Sequence, residues 1–178
     1  MDYFAKKDLL NSFRVIVDTR EQATASAVRR YESFGCPYSR ATLRYGDYTY
    51  NATLPSGSSL YDEEKTILPL CVVERKMSLD ELAGCFGRNR ERFEREFDRA
   101  AEQGCRIYLL CENASWEGLI NGRYRSKLHP SAFFSSIIAW SVRYGMIPIL
   151  CRADTSGKLI REILYRDFKE RVEHGEFE

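Results

Sequence analysis

Histidine is scarce in this sequence, with only His129 and His174, and none of the six cysteines stands in a C-x-x-C spacing. These shortages argue against a structural zinc site, which needs four nitrogen or sulfur ligands at short spacings, and against metal chemistry built on imidazole. Cys71, Cys105, Cys111 and Cys151 lie among Val, Ile and Leu, where a thiol acts as a small apolar side chain. Free thiols fit a reducing interior, so an intracellular, cytoplasmic protein is expected. No run approaches the roughly 18 apolar residues of a membrane span, and the N-terminal MDYFAKKDLLNSF lacks a signal-peptide core. No membrane partner is expected. Net charge is nearly absent too, since 27 Lys and Arg offset 26 Asp and Glu to leave +1. A global field for polyanions is excluded, and any basic footprint must be local.

What the chain does have is the composition of one folded α/β domain: 178 residues, 44% hydrophobic and 30% charged, with 10 Phe and 11 Tyr. The β-branched run at 13–17 (FRVIV) predicts a buried strand ending at Asp18. Thr24 to Phe34, closed by Gly35, predicts a helix. RATLRYGDYTY at 40–50 has strand-like density and is expected to form one strand, with Gly46 and Asp47 near its middle. An excursion over 51–69 leads to the apolar run LCVV at 70–73, whose end carries Glu74, Arg75 and Lys76. Ser78 and Glu81 have capping-box spacing, so a helix begins directly afterwards, with Gly84 and Gly87 as candidate breaks before a helical period resumes up to Gly104. A strand at 106–111, a short helix near Trp116, a helix from Pro130 to Gly145, a strand at 146–151 and a final amphipathic helix complete the chain. The order predicts a central mixed β-sheet flanked by helices on both faces.

Three acids fall at or near the ends of the first three predicted strands: Asp18, Asp47 and Glu74. Alternate side chains share a face of a strand, so Glu74 and Lys76 project to one side and Arg75 to the other. Carboxylates and an ammonium converging at strand ends suit phosphodiester hydrolysis. Hard oxygens hold Mg²⁺ or Mn²⁺, which polarises a phosphoryl oxygen, while Lys76 orients or deprotonates water or stabilises charge on phosphorus.

The wider string is more specific. VDTRE at 17–21, GDY at 46–48, ERK at 74–76 and Asp80 resemble the G-D…E-R-K-x-x-x-D signature of the XPF-type structure-specific endonucleases, from about Phe13 to Phe97. The resemblance implies a restriction-endonuclease-like fold and a metal held by Asp18, Glu21, Asp47 and Glu74. Arg75, Lys76 and Asp80 would complete the catalytic set, although a helix N-terminal role also accounts for Asp80 and a cross-sheet ion pair for Arg75. It further implies a DNA substrate, branched or with single-stranded flaps. A single nuclease domain over 1–178 is expected, without the C-terminal helix-hairpin-helix unit that family members usually carry, which leaves selectivity to a homodimer or a partner protein. The rival expectation is a catalytically inactive DNA-binding or scaffolding subunit of a nuclease dimer; intact Asp47, Glu74, Arg75 and Lys76 favour the active form.

Between Gly118 and Ala153 there is no Asp or Glu, whereas NGRYRSK at 121–127 interleaves Arg123, Arg125 and Lys127 with Tyr124. That pattern suits phosphate contacts with an aromatic ring for stacking on an unpaired base, as against a plain solvated loop. In GRNRERFERE at 87–96 the interspersed glutamates suggest a mixed-charge helix face, leaving Arg88 and Arg90 as further DNA contacts.

Overall fold

The computed structural model describes residues 1–177. Six strands, β1 (Arg14–Asp18), β2 (Tyr38–Ala41), β3 (Tyr48–Asn51), β4 (Cys71–Lys76), β5 (Arg106–Glu112) and β6 (Ile147–Cys151), form one sheet in the order β2-β1-β3-β4-β5-β6. The sheet is mixed: β3 runs antiparallel to both β1 and β4, and the other neighbours pair in parallel. Helices α3 (Leu79–Phe86), α4 (Arg90–Glu102) and α6 (Pro130–Tyr144) pack on one face, with short α5 (Trp116–Ile120) beside α6. On the other face lie α1 (Tyr3–Asn11), α2 (Ala25–Glu32) and α7 (Ser156–Glu173).

β4 separates two apolar cores because its side chains alternate. Val72 joins the α3–α4–α6 core, centred on fully buried Trp140 with Phe86, Phe93 and Phe97 around it. Cys71 and Val73 join the core of α2 and α7. Truncating an aromatic such as Trp140 would cost about 3–5 kcal/mol.

Two expectations need correction, over 40–50 and at Gly84. The stretch 40–50 is not one strand but the end of β2, a turn, and β3. Residues 42–44 pair instead with the distant excursion, through Ile67 N–H to Thr42 O and Arg44 N–H to Ile67 O, and Gly46 then turns the chain with φ +74. The N-terminus also forms a helix, α1, whose Ala5 N–H is capped by Asp2; its mixed composition gave little periodic signal. Gly84 lies inside α3 without breaking it, and Gly87 ends it.

Candidate active site

Asp47 reaches the centre of the sheet because the turn before β3 presses onto β4. A Cβ at Gly46 would lie 2.6 Å from the Cβ of Val72, and the backbone φ of +74 is one L side chains rarely adopt, so only glycine permits this approach. Asp47 N–H then donates to Val73 O (3.0 Å), and the Arg75 N–H donates to the Asp47 carboxylate (2.7 Å). Glu74 and Lys76 project from β4 on the α3–α4 side, where the Lys76 ammonium contacts Glu74 and lies 5.2 Å from the Phe93 ring centroid.

Asp47, Glu74 and Lys76 share a hollow of about 370 Å³ with Arg20, Glu21, Asp80, Glu81, Arg88, Arg92 and Glu96 among its walls. Burial and the adjoining Glu74 raise the Asp47 carboxyl well above the ordinary aspartate range. Burial works against the charge on Lys76, but Glu74 and Asp47 outweigh it and hold the ammonium charged far beyond neutral pH. A lysine so held carries its positive charge at neutral pH.

The sequence-derived set separates into groups. Asp47, Glu74, Lys76, Glu21 and Asp80 line the hollow; Asp18 does not. Its buried carboxylate is taken up by Arg20, through backbone N–H (2.8 Å) and Nε (2.6 Å), and by the Leu43 N–H (2.7 Å). It fixes the loop that carries Glu21. Glu21 accepts from the Tyr48 hydroxyl at 2.9 Å. The Arg75 side chain lies on the far face, where its Nη2 donates to Glu112 at 2.7 Å and Arg30 Nε donates to the same carboxylate at 2.8 Å. Asp80 accepts from the backbone N–H groups of Arg125 (2.6 Å) and Ser126 (3.0 Å), so it ties the loop at 123–128 to α3.

Of the basic candidates, Arg88 lines the hollow and is exposed, as are Arg123, Arg125 and Lys127 outside it. Arg90 turns to α6, donating to Ser136 at 3.1 Å and lying over Trp140. The Tyr124 and Phe133 rings meet edge to face, and the Tyr124 hydroxyl donates to Leu128 O, which fixes the half-buried ring against α6.

Glu96 and Glu112 escaped the sequence reading. Burial and Glu74 push the Glu96 carboxyl up; as a neighbour of Phe97 and three residues from Phe93, it borders the buried stripe of α4, a signal its sequence position carries. Glu112 ends β5 as Asp18 ends β1, after an equally apolar run.

A mixed sheet with carboxylates and a lysine converging at the ends of its central strands defines a nuclease-type α/β domain. The ERCC4 domain model matches residues 17–161, and the chain belongs to that family. Among solved structures, XPF from Aeropyrum pernix is similar at 20% identity and TM-score 0.60, over 92% of this chain and 69% of that one. The same protein in complex with DNA is similar at 22% identity and TM-score 0.59, over 88% and 65%. The chain thus spans about two thirds of the length of these structures, and its fold is the restriction-endonuclease-like fold they share. No curated protein matches it.

Proposed function

We propose that this protein is a divalent-metal-dependent DNA endonuclease that cuts branched or flapped DNA. The observation that carries the reading is the convergence of Asp47, Glu74 and Lys76 in one hollow at the centre of the sheet. Two carboxylates share a single ammonium there, and burial together with repulsion from Glu74 raises the Asp47 carboxyl. A hard divalent cation is the ligand such a pair favours. Two carboxylates in one hollow suit Mg²⁺ or Mn²⁺, of which the former is commonly held by one or two carboxylates and keeps its other positions for water and phosphate oxygens.

Asp47 and Glu74 would hold the ion, with Glu21 at its edge; bound there, it would lower the pKa of a water and polarise the phosphoryl group. Lys76 supplies a fixed positive charge for the negative charge that builds on phosphorus. Arg75 acts through its backbone N–H, which orients Asp47, while its side chain locks β4 to Glu112. Asp18 positions the loop bearing Glu21. The complex of an A. pernix relative with DNA supports DNA as the substrate, and exposed Arg88, Arg123, Arg125 and Lys127 offer phosphate contacts. Selectivity for branched DNA would draw on these contacts and on a second subunit or a partner protein. All six cysteines are free thiols, which supports a reducing, cytoplasmic setting; no helix among the described residues is long and apolar enough to cross a membrane.

The test is cleavage of labelled flap, fork, junction and linear DNA with Mg²⁺ and with EDTA. Metal-dependent cuts that vanish in Glu74→Ala are expected. Binding without cleavage of any substrate would replace this reading with that of an inactive DNA-binding subunit.

A further inference from the structure

Glycine weakens a helix interior, and Gly84 sits midway along α3 with no internal reason to be there. Its φ is not in the left-handed region, and a Cβ added to it would meet nothing within 4 Å. What a side chain there would obstruct lies outside the fold. Asp80 and Gly84 share one face of α3 at a four-residue spacing, and Arg88 follows just past Gly87. These three line the catalytic hollow and also a second hollow of about 660 Å³. The opposite wall of the second hollow is the loop Arg125, Ser126, Lys127 and Leu128. Asp80 holds that wall through two backbone N–H groups.

We infer that the second hollow takes a single DNA strand running out of the catalytic hollow, with Gly84 as the low sill between the two and Asp80 as the positioning residue of the basic wall. The inference rests on the nuclease reading above. Charge selects a polyanion: Arg88 and Lys127 make no side-chain hydrogen bond or ion pair among the described residues, and the Arg125 guanidinium, 93% exposed, meets only Asp80, at 3.4 Å. The floor suits single-stranded over duplex DNA. Gly84, Gly87 and Leu128 form an uncharged strip at the surface that unpaired bases can lie against, whereas a duplex keeps its bases stacked inside and presents only phosphate and sugar. Tyr124 does not line this hollow.

The experiment is fluorescence anisotropy in EDTA, with a labelled single-stranded oligonucleotide and a labelled hairpin duplex, alongside flap cleavage in Mg²⁺. Gly84→Ala should keep or raise the melting temperature, yet weaken single-strand binding about fivefold, leave the salt dependence unchanged, and affect the duplex less. Arg88→Ala with Lys127→Ala should lower the slope of log affinity against log salt by about 1.4, some 0.7 for each lost contact with a single strand. Asp80→Ala, which frees the wall without removing a base, should weaken single-strand binding, and Asp80→Asn, whose amide oxygen still accepts from the Arg125 and Ser126 N–H groups, should restore it. Single-strand binding by Gly84→Ala at the wild-type level, or an equal loss on the duplex, overturns the inference while the nuclease reading stands. A wild-type protein that neither binds nor cuts any of these DNAs overturns both.

Discussion

The two faces of β4 carry opposite solutions to the same problem, that of charge at the end of a buried strand. On the α2–α7 side, Glu112 faces two guanidiniums, Arg30 and Arg75, with Tyr48 hydrogen-bonded to Arg30 and Glu21 supplying a second carboxylate 3.8 Å from Arg75. Burial alone would raise its carboxyl, but bonds from Arg75 and Arg30 hold it down to about 2. On the α3–α4 side, Asp47 and Glu74 share Lys76, Glu96 stands nearby, and burial with neighbouring carboxylates pushes Asp47 and Glu96 up. A buried cluster whose charges are paired keeps a fold in register, whereas one with an excess of carboxylates carries repulsion that a bound cation would relieve. One peptide bond separates the two, between Glu74 and Arg75.

The contrast predicts different failures. Glu112→Ala strips the partner from two arginines and should lower unfolding free energy in urea by about 3–5 kcal/mol. Glu74→Ala should leave stability near the wild-type value while cleavage disappears. Equal stability losses from the two variants would mean that the faces do not differ as described. Next in size, Lys76→Ala should slow cleavage at saturating Mg²⁺ by about 10²- to 10³-fold, the usual cost of removing one preorganised charge-stabilising donor. A rate within a factor of about two of wild type would remove Lys76 from the chemistry.

The matched face should also set an acid limit. Glu112 ordinarily titrates near 4.5 and is held at about 2 in the folded protein. Its contribution is therefore fully present above the unfolded value and is lost as pH falls from about 4.5 toward 2, a change of about 3 kcal/mol. Urea titrations across that window should show the loss in the wild type and a flatter profile in Glu112→Gln. Identical slopes would place the acid limit elsewhere.

How much of this the sequence discloses follows from how local each cause is. β1, β4 and the Ser78 cap are legible because apolar runs and capping residues act over a few positions, and the opposed directions of Glu74 and Arg75 follow from strand geometry alone. The break in 40–50 is not legible, since it depends on Ile67 drawing residues 42–44 away and on Val72 leaving room only for glycine at 46. The partners of Asp80 lie 45 and 46 residues away, and Arg30 lies 82 residues from Glu112. Such pairings exist only once the sheet has formed. For the same reason, sequence spacing groups Asp18 with Asp47 and Glu74, while the fold spends the Asp18 carboxylate on Arg20 and Leu43.

The smallest effect expected is a gain. Burial and Glu74 raise the Asp47 carboxyl, so ionising it opposes folding. That penalty is absent below the ordinary aspartate range and grows as pH rises through it toward the raised value. Asp47→Asn keeps the shape, and the amide oxygen still accepts from Arg75 N–H, but the charge is gone. In EDTA at neutral pH the variant should be more stable than wild type by about 0.5–2 kcal/mol, the range in which active-site charges are traded for stability. The gain should vanish near pH 3, where the wild-type carboxyl is already neutral in both states. Millimolar Mg²⁺ should then stabilise the wild type and not the variant, because an ion that binds only the folded state adds its binding free energy to folding. A loss of stability in Asp47→Asn at neutral pH would show the Asp47 carboxylate to be as fully compensated as Glu112, and the difference between the two faces of β4 would collapse.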